Sequence, residues 1–128
     1  MMSVLRSTVV FYVADIEKSQ SFYNTLFGCE PIQASNEFVL YLVHDSLSFG
    51  LWKQSAVIPP ITPTSALSSG SQGELCLFVA DQHTFQQTYQ HCLIHDISLI
   101  QEPAVMDFAT AFTVSDPDGY RIRYAVGK

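Results

Sequence analysis

His91 and His95 stand four residues apart with Asp96 beside them, and here spacing alone first suggests chemistry. On a helix that spacing puts two imidazoles on one face, close enough to share a metal ion. A lasting transition-metal site takes about three converging donors, and no third ligand lies at matching spacing in the sequence. The pair therefore reads as a solvated helix end. His83, in the first turn of the same helix, and His44, in a strand turn, read as surface residues. Cys29, Cys76 and Cys92 are odd in number and fall inside expected elements, which points to reduced thiols rather than a disulfide framework. Cys76 is expected to face inward on a strand as a buried, inert thiol. Trp52, the sole tryptophan, can stack on a flat or cationic ligand or serve as plain core. The sequence has no phosphate loop, dinucleotide fingerprint or nucleophile elbow.

Composition narrows the classes further. Twelve acidic and six basic residues give a net charge of −6, which would repel nucleic-acid phosphates and argues against that partner. The acidity suits a cationic ligand and equally suits plain solubility. Apolar residues make up 48% and charged residues 14%, the composition of a globule rather than of a disordered chain. A chain of 128 residues fits one domain, or two small modules sharing a core, and buries roughly two-thirds of its unfolded surface. No apolar run approaches the roughly 20 residues that span a bilayer, and residues 1–6 lack the long apolar region of a signal peptide. The expectation is a cytoplasmic protein that does not enter a membrane.

These side chains need elements to position them. Residues 7–13 are a β-prone run ending at Ala14-Asp15, where Asp15 can cap a helix. Ile16, Ser19, Phe22, Tyr23, Leu26 and Phe27 then recur at helical spacing, and Gly28 follows where a C-cap glycine belongs. Strands are expected over 29–34, 37–43 and 47–53. Residues 54–72 have three prolines, five serines and no period, the character of a linker or functional flap, with Val57, Ile58, Ile61 and Leu67 available to pack on something. The order then restarts: strand 75–79, a helix with Phe85, Tyr89, Cys92 and Leu93 on one face, then strands 98–105, 108–115 and 120–126.

The restart is visible in residues too. Val13-Ala14-Asp15 and Val79-Ala80-Asp81 are identical, and eight positions after each aspartate comes a tyrosine, Tyr23 or Tyr89. Phe38 to Asp45 parallels Phe108 to Asp116. Duplication gives two βαβββ modules, 1–53 and 73–128, joined by the 54–72 linker within a single domain 1–128. Near the end, Asp116-Pro117-Asp118-Gly119 lies between two strand-like runs and marks a β-hairpin: proline presets φ, aspartate bonds back to the backbone and glycine takes the left-handed position.

The chain resembles the glyoxalase, bleomycin-resistance and extradiol-dioxygenase superfamily, the vicinal oxygen chelate proteins. Val13-Ala14-Asp15, Ser19, Phe22-Tyr23 and Leu26-Phe27-Gly28 are similar to the family's first strand and helix. Gly73-Glu74 with Val79-Ala80-Asp81 is similar to the start of its second module, and Asp116-Pro117-Asp118-Gly119-Tyr120 to its closing turn. The resemblance implies an α+β fold in which two βαβββ modules form an open eight-stranded cup, and it implies a homodimer.

It also implies where a site lies. Metal-dependent relatives draw ligands from four inward positions on the first and last strands of both modules, here Thr8, Gly50, Glu74 and Arg123. Glycine offers no donor and a guanidinium has no lone pair, so the resemblance implies no metal or other cofactor at these positions. Glu74 and Arg123 become partners, either as a salt bridge that offsets two partly buried charges or as a device that binds a ligand's own charges. Strand alternation adds Arg6, Val10, Tyr12, Ser48, Trp52, Cys76, Phe78 and Arg121 to the same faces.

Two functions remain open. The preferred one is a metal-free protein that binds a small organic molecule, planar or cationic, as the bleomycin-resistance branch sequesters a drug. The expected contacts are Thr8, Tyr12, Gly50, Trp52, Glu74, Phe78, Arg121 and Arg123. The other is a glyoxalase-type lyase or isomerase, or a dioxygenase-related enzyme. There Glu74 would be the general base, and Arg6, Arg121 or Arg123 would stabilise an oxyanion. A dimer without a small ligand is a third possibility.

Overall fold

Asp15 and Asp81 do the same work at two strand-to-helix junctions. Each sits in extended backbone with its carboxylate turned back onto the helix, accepting from the Lys18 amide at 3.1 Å and the Thr84 amide at 2.8 Å. Each thereby satisfies one donor that the first helical turn leaves open. The repeated Val-Ala-Asp triplet is thus a strand end and a helix cap, made twice.

The computed structural model of the chain describes residues 2–61, 73–107 and 109–127. Contacts divide it into two compact units, Met1–Thr62 and Pro63–Lys128. In the first, strand β1 (Ser7–Val13) leads to helix α1 (Ile16–Phe27), then β2 (Gln33–Ala34), β3 (Phe38–His44) and β4 (Leu47–Lys53). In the second, β5 (Glu74–Val79) leads to α2 (Gln82–Ile94), then β6 (Leu99–Val105), β7 (Ala109–Ser115) and β8 (Arg121–Gly127). The result is βαβββ twice, an α+β fold with two four-stranded mixed sheets in the orders β1-β4-β3-β2 and β5-β8-β7-β6. The first and last strands of each unit pair in parallel, and the remaining pairs are antiparallel.

Each helix covers one face of its own sheet. In the first unit Tyr23 packs on Phe49 with ring centroids 4.9 Å apart, and Phe27 and Tyr41 complete the aromatic cluster. The Tyr41 hydroxyl donates to Asn24 Oδ1 at 2.6 Å, tying the sheet to the helix, and burial pushes this phenol's pKa well above its ordinary value. In the second unit Phe85 and Tyr89 pack on Phe112, which stacks on Tyr124. Each ring so buried is worth roughly 1.5–3 kcal/mol. The repeated tyrosines, Tyr23 and Tyr89, are equivalent knobs on two helices.

Several elements depart from the sequence pattern. Strand character expected over 29–34 is confined to Gln33–Ala34, because Pro31 has no amide to offer a ladder. Leu93 is exposed rather than on the buried face of α2, since it lies about 80° round the helix from Phe85. In the 54–72 stretch, Gln54–Ala56 is a short 3-10 turn and Val57 is buried, but Ile58 is exposed. Leu67 and the remainder of that stretch from residue 62 lie outside the described residues, as does Phe108. The closing hairpin forms as expected. The Asp116 carboxylate accepts from the amides of Asp118 (2.9 Å) and Tyr120 (2.8 Å), and Gly119 takes φ 87°. No helix among the described residues is long and apolar enough to cross a membrane.

Candidate functional site

The sheet face turned away from α2 carries a polar row built by register. Cys76 pairs with Arg123, Arg123 with Thr113, and Thr113 with Gln101, one residue from each of four adjacent strands. Arg123 engages a partner through every guanidinium nitrogen. Nε and Nη2 donate to the two Glu74 oxygens at 2.7 and 3.0 Å, a bidentate fork. Nη1 donates to Gln101 Oε1 at 2.9 Å and lies 3.4 Å from the Met106 sulfur. The Thr113 hydroxyl donates to the same Gln101 oxygen at 3.0 Å. Arg123 is 13% exposed and Glu74 32%, so the pair is shielded but not dry.

These contacts set the electrostatics. Hydrogen bonds from Arg123 hold the Glu74 carboxyl below the usual carboxylate range, with the charges of Arg123 and Arg121 adding to the effect. The same bonds raise Arg123 further. Partial burial pushes the Cys76 thiol up, and the Glu74 charge adds to that. Cys76 is nevertheless exposed, not the buried thiol expected from its strand position, because no helix covers this face. Phe78 is 62% exposed on the same face, and Arg121 starts β8 opposite Glu74.

The corresponding face of the first unit is hydroxyl-bearing at one end and aromatic at the other. Thr8 pairs with Ser48, Val10 with Gly50, and Tyr12 with Trp52. Across β4, Trp52 pairs with Phe38. Trp52 is therefore flanked by two rings, Tyr12 at 6.3 Å and 76° and Phe38 at 6.1 Å and 89°. Gly50 makes this row possible. A Cβ there would stand 2.8 Å from the tip of the Phe38 ring, closer than carbon atoms pack. Phe38 leans across the strand because position 50 has no side chain.

Within each unit, register thus brings the expected residues onto a common face: Thr8, Tyr12, Gly50 and Trp52 in the first, Glu74, Phe78, Arg121 and Arg123 in the second. Sequence reasoning missed Phe38, Gln101, Met106 and Thr113. One signal was present. A hairpin closed at Asp116–Tyr120 places Thr113 opposite Arg123 by counting outward from the turn, and the observed ladder has that register.

The donor set does not fit a divalent cation. Gly50 has no donor, Arg123 carries positive charge, and both Glu74 oxygens already accept from Arg123. Among the described residues no three His, Cys, Asp or Glu side chains gather as a metal site. The His91 and His95 rings lie 4.3 Å apart, tilted by 41°, but His95 Nδ1 is bonded to the His91 carbonyl at the end of α2. A cavity of about 450 Å³ at the start of α1, lined by Asp15, Glu17, Asn36 and Lys53 among others, contains none of the expected contact residues.

Comparison with known proteins identifies the family. Residues 6–124 match the family model described as Glyoxalase/Bleomycin resistance protein/Dioxygenase superfamily. The chain is 28% identical over 116 residues to the phenazine antibiotic resistance protein EhpR of Enterobacter agglomerans, covering 88% of this chain and 84% of that one. A solution structure of an Agrobacterium tumefaciens protein is 27% identical with a TM-score of 0.79, covering 98% of this chain and 99% of the other. A glyoxalase-related enzyme from Fulvimarina pelagi shares the fold at 16% identity, with a TM-score of 0.74 over 99% of this chain and 89% of its own. The chain belongs to the glyoxalase/bleomycin resistance protein/dioxygenase superfamily.

Proposed function

We propose that this protein binds a small planar aromatic molecule, without a metal and without transforming it, as a resistance protein that sequesters its drug. The observation that carries the reading is the Tyr12–Trp52–Phe38 row on the uncovered face of the first sheet. Three rings in edge-to-face contact, half-buried and not covered by the helix, offer apolar surface to a flat partner. The likeness to a phenazine resistance protein supports the same class, because a phenazine is a flat fused heteroaromatic. Three free cysteines suit a reducing compartment, and we place the activity in the cytoplasm.

The competing reading, a glyoxalase-type lyase or isomerase, asks Glu74 to act as general base. A base needs a free lone pair and a pKa near the working pH. Glu74 has both oxygens engaged by Arg123 and a lowered pKa, so its geometry favours scaffolding over proton abstraction. The experiment is a titration of chelator-treated protein with phenazine, followed by Trp52 fluorescence. Saturable quenching that is lost in Trp52→Ala is expected. Binding that appears only when a divalent metal is restored would contradict the reading.

A further inference from the structure

We infer that Met106 is a site of oxidation by peroxide, arranged so that Arg123 and Gln101 receive the oxygen of its sulfoxide. The inference is independent of the ligand proposed above and lies wholly within the second unit. Two donors converge on this thioether, Arg123 Nη1 at 3.4 Å and Gln101 Nε2 at 3.7 Å. The Gln101 amide is fixed in that sense by its other end. Its Oε1 accepts from the Thr113 hydroxyl at 3.0 Å and from Arg123 Nη1 at 2.9 Å, which leaves the amino group aimed at the sulfur. A thioether is a weak acceptor. It is the one poor partner in a network whose other acceptors are the Glu74 carboxylate and the Gln101 oxygen. An oxygen added to the sulfur supplies the strong acceptor that these donors lack, one of them cationic.

The surroundings hold the side chain for that change. The Met106 amide donates to the Ala109 carbonyl at 2.8 Å, which pins the backbone just after β6. The side chain packs on the small residues Ala109, Ala111 and Ala125 while its sulfur meets the two donors. Met106 is half-buried, so an oxidant as small as hydrogen peroxide reaches it. In the reaction a sulfur lone pair attacks one peroxide oxygen and the O–O bond breaks. The departing hydroxide takes the proton of the transferred oxygen and leaves as water, so the sulfur is oxidised by two electrons and the peroxide reduced. A sulfoxide in a packed site ordinarily disrupts its neighbours. Here its donors are already in place, so oxidation ties the end of β6 to β8 more firmly than the thioether does.

The test treats the intact protein with hydrogen peroxide, quenches with catalase and reduces the cysteines with dithiothreitol. Each methionine is then read by peptide mass spectrometry, beside the melting temperature of the whole protein. Met2, 85% exposed, is the internal standard. Under peroxide that converts Met2 completely, Met106 is expected to gain one oxygen and the melting temperature to rise by about 3 °C. Met106→Leu treated in the same way should show no rise. Gln101→Leu and Arg123→Leu each remove one donor, and in either the rise on oxidation should be lost. Met106 left unmodified, a melting temperature unchanged or lowered by its oxidation, or a rise that persists in Met106→Leu or Gln101→Leu would overturn the inference.

Discussion

Arg123 stands where the family resemblance implies a metal ligand, and its guanidinium is held there by Glu74 and Gln101. Its guanidinium has acceptors on all sides, so removing Glu74 strands a shielded cation, and removing Arg123 strands a carboxylate. Each single change, Glu74→Gln or Arg123→Met, is expected to cost roughly 1–3 kcal/mol, and the double change less than their sum. Urea unfolding of the four proteins in this cycle measures the difference, and simple additivity would mean the two side chains are independent. The pH dependence has a definite sign. A carboxylate whose folded pKa is depressed adds stability that is fully present above its unfolded pKa and lost as pH falls through the folded value. The gap in Tm between wild type and Glu74→Gln should be widest near neutrality and close as pH drops below about 4. The pairing of Glu74 with Arg123 was legible from the family's inward positions. Gln101 and Met106 were not, because a bulged strand around Pro103 decides which way they point, and bulges leave no period in a sequence.

Elements of this fold were legible where a local rule acts alone. Asp15, Asp81, Gly28 and the Asp116–Tyr120 turn each obey one, and each forms as expected. Strand β2 was overestimated because it was run across Pro31, and the buried face of α2 because Leu93 was counted into a stripe it flanks. Gly50 illustrates what a sequence hides. Its value lies in a neighbour on another strand, the Phe38 ring. Gly50→Ala is expected to displace that ring, cost roughly 1–3 kcal/mol, and shift the emission of Trp52, against which Phe38 packs. Phe38→Leu shortens the obstructing side chain, so Gly50→Ala should cost markedly less in that background. Unchanged melting and unchanged Trp52 emission in Gly50→Ala would show that the ring does not depend on the glycine.

At the scale of the whole molecule, duplication was the most legible feature, since an identical triplet and a repeated element order survive in the residues themselves. Net charge was the least informative, since it averages over the surface, whereas only two of the twelve acidic residues, Glu74 and Glu102, lie in strands. Both sheets end in strands with an unpaired side within their own sheet, β1 and β2 in one and β5 and β6 in the other. Such edges invite pairing with further chain, and we expect a homodimer. Light scattering at micromolar concentration in moderate salt should give twice the chain mass of 14.3 kDa, and a monomer would contradict this. The central claim, binding without chemistry, is tested most directly by recovery of the ligand. Chelator-treated protein is incubated with excess phenazine, the complex is separated and denatured, and the released compound is weighed by mass spectrometry. The account predicts that phenazine comes back unaltered, in an amount that saturates with protein and does not grow with time. A compound of changed mass that accumulates beyond the amount of protein would contradict it.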